Sequence, residues 1–430
     1  MLILFVERLF LLYQLQFTYT LKSDDLSYVK SGITFANTGI ISMHSEFPSA
    51  QIMPGMTWFI ALYVKLFGEG TLLWAALKVT WIVIGVLTAW LIYRIVCMFA
   101  PKWCGVVAAV PLLGAEFAWM DNTILTETPF LFFFVGMIYY TLRMAKDQKN
   151  ASFWGCLICY MGGLMLKANI ALYPLFALVY LLIKKYDGKK LIKQIVILSC
   201  VVLCFVIPWS IRNEKQFHDF VPLTYGSGNP TLLGTYQGIG YPPDEELDYE
   251  TNVYKVLEEK YKGYYNEDGN VLPQYVRYVS LQRDQIKANY RIHEWAQRDI
   301  KSLIYSYAVL KPWEMITSSF YWAEVFNISW DDVHIAHMVN GVLSLIAIAL
   351  SFYLKKYRKE ILFLLFVYLG NIYIYAMTFA FSRYHATLLP IRYIIVGMGL
   401  SLFVEFLAGE IRRVWNSTDN SNTVLDDCNP

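Results

Sequence analysis

Charge is what this chain of 430 residues is shortest of: Asp, Glu, Lys and Arg together make up 16% of it, against about a quarter of an ordinary soluble domain. Hydrophobic residues supply 57% and aromatics 17%, and the mean hydropathy is +0.40. That balance excludes a water-soluble globule and describes a polytopic membrane protein. The formal net charge of +2 is too small to mark an acidic partner, and no nucleic-acid role is expected. Cysteines placed to frame an external domain are missing as well. Cys97, Cys104, Cys156, Cys159, Cys200, Cys204 and Cys428 all fall in apolar runs or on the side of the basic connections, which leaves packing, not cross-links, to order the outward parts. Cys156 and Cys159 form a CxxC, but with no second pair and no nearby histidine they read as packed core thiols. No basic stretch precedes the first apolar segment and no small-residue cleavage site follows it, so it is expected to stay as a span rather than leave as a signal peptide. No internal repeat is visible, and the polar tail NSTDNSNTVLDDCNP is expected to be disordered.

What the chain has is hydrophobic length. Apolar runs of roughly the twenty residues that cross a hydrocarbon core occur at about 71–99, 103–119, 122–143, 152–168, 169–184, 191–210, 334–354, 360–381 and 386–408. With a first span before Asp24, about ten transmembrane helices are expected in an all-α fold. Arg94 and Lys102, then Arg143, Lys146 and Lys149, then the lysines at 184, 185, 189, 190 and 193 fall in alternate connections. Lys355, Lys356, Arg358 and Lys359, and then Arg412 and Arg413, keep the same parity. By the positive-inside rule that side is cytoplasmic, which puts both termini in the cytosol and faces the first loop and the segment 211–333 outward. Glu7 and Arg8 would each cost about 2.5 to 3.5 kcal/mol near a helix centre. Unless more apolar residues precede Met1, they must face neighbouring helices or snorkel to the cytoplasmic surface.

The organisation that follows is an N-terminal transmembrane module (1–210) carrying a first external loop (22–70), an external segment (211–333), C-terminal transmembrane helices (334–410) and a tail (411–430). In the first loop, MPGMTWFIALYVKLFG reads as an amphipathic helix lying in the membrane interface. The external segment is turn-rich from Arg212 to Pro243 and charged and helical from about 244 to 325. Its run QIKANYRIHEWAQRDIKSLIYSYAVLKPW is expected to end near Pro312. Fourteen of the 32 tyrosines lie between 211 and 333, and anchoring at the interface is expected of more of them than stacking on sugar rings.

Asp24 and Asp25 follow the first apolar segment directly. An acidic pair at a membrane surface is costly unless it serves something. The two could cap the helix that begins LSYVKSGITFANTG, or act on a substrate.

Five stretches, in this order and spacing, resemble the C-type integral membrane glycosyltransferases, and among them the bacterial protein O-mannosyltransferase and aminoarabinose transferase relatives. They are SDDLSY; LTETPFLFF with Glu127; LKANIALYPL with Lys167 and Pro174; IPWSIRNEKQFHDFVPLT with Arg212 and Asn213; and SRYHATLLPI with Arg383 and Tyr384. The resemblance implies the fold of that superfamily, a bacterial cytoplasmic membrane location, and an external active site. It implies transfer of one sugar, with inversion, from a polyprenyl-phosphate donor to a glycan, lipid or protein acceptor. The family's acidic doublet favours Asp24 as the base with Asp25 as its neighbour. Lys167, Arg212 and Arg383 fall at external ends of expected spans, where a leaving lipid phosphate would sit, and could hold it without proton transfer. Glu127, Asn213 and Tyr384 would support them. The chain has no external DxD, which departs from the oligosaccharyltransferase branch and points to a reaction without a metal or other cofactor.

Plainer roles stand beside these. Lys167 could snorkel from a span end, Arg212 and Arg383 could bind lipid headgroups or external carboxylates, and Glu127 could sit at a helix start favoured by the dipole. His334 and His337, behind Asp331 and Asp332, could hold a metal, but polar residues at an outer span end explain them as well. TYGSGNPTLLG lacks the lysine and the strand-to-helix setting of a nucleotide loop and reads as a turn near the site. The alternative function is a transporter or flippase for a lipid-linked sugar. That would need polar residues deep in the spans, and here only Glu7, Arg8, Lys65, Lys78 and Glu116 are of open depth.

Overall fold

A computed structural model of the chain describes residues 1–426, with side chains to Arg412; Arg413, Cys428 and the other side chains of the tail lie outside the described residues. Apart from one isolated β-bridge between Tyr265 and Val271, every regular element among them is helical. The N-terminal part runs α1 (Leu2–Leu15), α2 (Asp24–Thr38), α3 (Gly55–Phe67), α4 (Thr71–Val96), α5 (Lys102–Ala109), α6 (Ala115–Met120), α7 (Glu127–Asp147), α8 (Asn150–Leu166), α9 (Tyr173–Ile183) and α10 (Gly188–Phe217). The segment 211–333 adds α11 (Gly228–Gly234), α12 (Lys255–Lys260), α13 (Val276–Tyr305) and α14 (Lys311–Thr317), and α15 (Trp330–Tyr353), α16 (Arg358–Ala376), α17 (Ser382–Ala386) and α18 (Leu389–Asp426) follow. The last helix is described as far as Asp426, and the end of the tail expected to be disordered, 427–430, lies outside the described residues.

Six helices are long and apolar enough to cross a membrane: α4, α7, α10, α15, α16 and the unit Ser382–Arg412. The other four expected spans are helical but shorter: α1, with 14 residues, and the apolar stretches Lys102–Leu113, Asn150–Leu166 and Ala168–Ile183. The expected run 103–119 is interrupted at Pro111 and at Gly114, whose extended backbone (φ −60, ψ 143) ends the helical path. Of the apolar stretch of α7, 72% is buried, against 11% for α10, so α7 is central and α10 presents its side chains outward, as a lipid-facing helix does. The chain is therefore a multi-pass, all-α membrane protein.

The charges of open depth are tied into this scaffold. Arg8, fully buried, donates to Asp121 at 2.6 Å, to Glu7 at 2.9 Å and to the Leu112 carbonyl at 2.7 Å. Thr128 donates to the other Asp121 oxygen, and a Cβ at Gly85 would lie 1.9 Å from Asp121 Oδ2, so α4 needs glycine there. Lys78 donates to the carbonyls of Tyr19 (2.8 Å) and Gln16 (3.4 Å), which satisfies orphan acceptors past the end of α1. Glu116 meets His337 at 2.6 Å. Lys65 alone stays exposed, in the last turn of α3.

α3 differs from the amphipathic helix read from the sequence. It buries Met56, Thr57, Ile60, Ala61 and Val64 and exposes Trp58, Leu62, Leu66 and Phe67, so both faces are apolar and the outer one suits lipid better than water. Its buried face lies so close to α2 that a Cβ on Gly32 would come within 2.3 Å of Ile60 Cγ2.

Four tyrosines of the segment 211–333 are packed inward instead of anchoring at an interface or facing a sugar. Tyr225, Tyr261, Tyr264 and Tyr278 are buried with Phe217 and Trp209 in a core of their own, and Tyr278 stacks on Phe217 with centroids 5.1 Å apart. A charged sequence with few aliphatic residues builds its core from rings. The segment is bound to the membrane part by backbone contacts. Gln237 exchanges two hydrogen bonds with Ala380 (2.9 and 2.8 Å), and Lys311 donates to the Thr378 carbonyl at 2.7 Å. A Cβ on Gly234 would fall 1.6 Å from that same Thr378 oxygen.

Candidate active site

α7 begins at Glu127, whose side chain turns into the protein and is fully buried. Two cations close on it from distant parts of the chain. Lys167, in the extended link after α8, donates to Oε1 at 2.7 Å; Arg383, on α17, donates from Nε to Oε1 at 2.6 Å and from NH2 to Oε2 at 3.0 Å. Fork-on-fork pairing of this kind fixes orientation as well as charge. The remaining Arg383 nitrogen, NH1, donates to Asp24 Oδ2 at 2.7 Å. Four of the residues singled out in the sequence, Asp24, Glu127, Lys167 and Arg383, thus form one connected chain of alternating charge.

A cavity of about 450 Å³ opens over this chain. Its walls include Asp24, Tyr28, Glu127, Lys167, Arg383 and Tyr384, its first-loop side Gln51 to Met53, and its outer rim Gly226, Ser227 and Pro230, so the glycine-rich turn does border the site. Lys167 Nζ lies 5.2 Å from the Phe130 ring centroid and 5.7 Å from that of Tyr384. Tyr384 in turn stacks on Tyr375 at 4.6 Å, and Tyr375 accepts from Asn169 at 2.7 Å. These rings hold the ammonium in place without neutralising it.

Asp24 keeps its charge. Burial pushes its carboxyl up, but the hydrogen bond from His44 and the charge and hydrogen bond of Arg383 outweigh that and hold it well below the usual carboxylate range. His44 Nε2 lies 3.2 Å from Asp24 Oδ1. Neither His44 nor Arg277, which reaches Gln51 at the rim with a 2.8 Å bond, carried any signal of motif or spacing in the sequence.

The other candidates are placed elsewhere. Asp25 is buried and accepts from the backbone of Leu21 (2.7 Å) and Ser23 (3.2 Å), so it closes the turn before α2 while its neighbour faces the cavity. Arg212 borders a separate cavity of about 390 Å³, with Trp58 and Trp209 among its walls. Its guanidinium donates to the Ser49 carbonyl and to Asn213 Oδ1, both at 2.9 Å. Asn213 is fully buried and holds the Val221 carbonyl at 2.8 Å, which fixes the turn after α10. His334 stacks on Trp330 at 4.7 Å, and Asp332 completes a capping box with Ser329 at the start of α15. Among the described residues no group of three or more His, Cys, Asp and Glu side chains is gathered to hold a metal.

Residues 49–211, a stretch that includes Glu127 and Lys167, match the family model described as dolichyl-phosphate-mannose-protein mannosyltransferase. Two of the five stretches that resemble the C-type membrane glycosyltransferases, LTETPFLFF and LKANIALYPL, lie inside it. No curated protein matches the chain. Among solved structures it is similar to ArnT from Cupriavidus metallidurans bound to undecaprenyl phosphate, at 13% identity over 94% of this chain and 77% of that one, with a TM-score of 0.43. It is also similar to the apo oligosaccharyltransferase of Archaeoglobus fulgidus, at 13% identity over 93% of this chain and 48% of that one, with a TM-score of 0.42.

Proposed function

We propose that this chain is a glycosyltransferase of the C-type membrane class that moves a single sugar from a polyprenyl-phosphate carrier to an acceptor hydroxyl on the external face of the membrane, with inversion. The observation that carries the reading is the convergence of Asp24, Lys167 and Arg383 on one cavity, joined through Glu127. The description of the matching family names a sugar carried on dolichyl phosphate, which supports a lipid-phosphate donor here. As the bond from the anomeric carbon to the phosphate oxygen breaks, negative charge grows on the phosphate. Lys167 and Arg383 are already fixed by Glu127, so they meet that charge without reorganising. Asp24 stands ready, ionised, to take the proton of the attacking hydroxyl. Attack from the side opposite the phosphate inverts the anomeric carbon. No step is assigned to a metal.

Outside the membrane no nucleotide sugar is available, which is why the donor has to be a lipid. The acceptor is a glycan, lipid or protein hydroxyl that reaches the cavity between the first loop and the rim at 226–230. The side on which the basic connections gather supports a cytosolic position for both termini. A transporter is the weaker reading, because the inward charges at Arg8, Lys78 and Glu116 are each bound within the scaffold rather than strung along a path. Mass spectrometry of cell-surface glycans, with and without the gene, tests the proposal. One sugar should vanish from one class of external molecule, and identical glycan profiles would contradict it.

A further inference from the structure

We propose that His44 is the proton-relaying partner of Asp24: through the Asp24 carboxylate it receives the proton that the acceptor hydroxyl gives up. The inference rests on the transferase reading above and concerns where the proton goes. Asp24 divides its oxygens between two partners, with Oδ2 on Arg383 at 2.7 Å and Oδ1 on His44 Nε2 at 3.2 Å. His44 Nδ1 lies 3.1 Å from Ser27 Oγ, and the Ser27 hydroxyl donates to the Ser23 carbonyl at 3.3 Å. With its own proton so engaged, Ser27 Oγ is left to accept from Nδ1–H, and in the neutral imidazole that tautomer turns the Nε2 lone pair toward Asp24. The 3.2 Å pairing of Nε2 with Oδ1 is then a hydrogen bond only when a proton lies between them.

Three further observations fit a relay. The hydrogen bond with His44 and the charge and hydrogen bond of Arg383 hold Asp24 so far toward its ionised form that this carboxylate does not retain a proton near neutral pH, whereas imidazole is the side chain suited to that range. His44 is held at φ 57, a left-handed backbone that costs a residue with a Cβ about 1 kcal/mol or more and that gathers at functional sites. Its side chain is 31% exposed and borders an outer cavity of about 530 Å³ together with Lys30 and Glu46, so a proton on the ring has a way to water.

The step balances. An electron pair of the acceptor oxygen forms the bond to the anomeric carbon, and the pair of the broken carbon–oxygen bond stays on the phosphate. The acceptor proton passes to Asp24, then to His44 Nε2, and leaves to solvent. The charged groups around His44 are Asp24 and Lys30 on α2, Glu46 on its own loop, and Arg383 behind Asp24. His44 acts through Asp24 and is a positioning and relaying residue.

The test uses the full chain in detergent or nanodiscs with a synthetic polyprenyl-phosphate sugar, and His44→Gln, which can still hydrogen-bond to Asp24 but does not titrate. We expect kcat to fall by at least about tenfold with the donor KM within about twofold, and the decline of kcat toward acid pH to flatten. An unchanged kcat with an unchanged pH profile overturns the relay. Nitrogen NMR of histidine-labelled protein, with His44 assigned through His44→Gln, reads the pairing without turnover. Asp24→Asn should move the His44 Nε2 signal, and an unmoved signal overturns the proposal. A wild-type chain that consumes no such donor counts against the transferase reading, while the NMR result still decides His44.

Discussion

Glu127 shows how much one buried carboxylate can organise. At the start of a helix it reads as a residue favoured by the dipole, yet its two oxygens gather Lys167 from 40 residues away and Arg383 from 256. The residues of this network were legible one by one, because each sits in a short stretch resembling the family. Their connection was not, since pairing across such separations is set by tertiary packing. Only the resemblance favoured Asp24 over Asp25 in sequence; successive helix residues point about 100° apart, and one faces the cavity while the other closes a turn. Arg212 lies at a span end just as Lys167 does, but depth says nothing about which face of a helix a side chain takes. His44 is a lone histidine in a polar loop and left no pattern at all. The difference between the two cations is testable. Lys167→Ala should raise the donor KM by at least about tenfold, the scale of one charge-assisted bond of about 1.5 to 3 kcal/mol, while Arg212→Ala should change it by less than about threefold. Equal effects in a steady-state transfer assay would contradict the separation of the two cavities.

At the scale of elements, the long apolar runs were readable and the short or broken ones were not. Hydrophobic length marks α4, α10 and α15 without ambiguity, but Pro111 and Gly114 split a run that composition alone presents as continuous. The aromatic core of the external segment was hidden because a tyrosine is as much at home at an interface as in a core. The docking of that segment has a pH dependence whose sign follows from Lys311. Burial pulls its ammonium down to about 7, against the opposing charge of Glu314, and its nitrogen reaches the carbonyls of Gly234 (3.2 Å) and Thr378 (2.7 Å). Unfolding returns it to about 10.5. Between those values the unfolded chain binds more protons, so stability should rise with pH, by up to about 1.4 kcal/mol per unit. The gain is complete above about 10.5 and gone below about 7. The thermal midpoint in detergent should therefore climb from pH 7 to 9, and Lys311→Met should flatten the climb. An equal rise in the variant would contradict it.

For the whole molecule, composition and the alternation of basic connections were enough to read a multi-pass helical protein, and the number of helices that qualify as spans by length was not, because backbone breaks such as those at Gly114 and Lys167 end several of them early. A site open to one side of the membrane is the main consequence expected of that topology. Single cysteines placed at 24, 167 and 383 should be reached by a membrane-impermeant thiol reagent from the external side, and ones at 146 and 190 only after permeabilisation. Position 24 and position 167 reacting from opposite sides would leave no common site.

Turnover by the purified full chain, read as polyprenyl phosphate released from a synthetic polyprenyl-phosphate sugar in the presence of cell-envelope acceptor, probes the account most directly when wild type and Asp24→Asn are compared side by side. Wild type should release the carrier, and the variant, inserted and equally stable, should release none above background. Release at the wild-type rate by Asp24→Asn would contradict the assignment of Asp24 and the mechanism built on it.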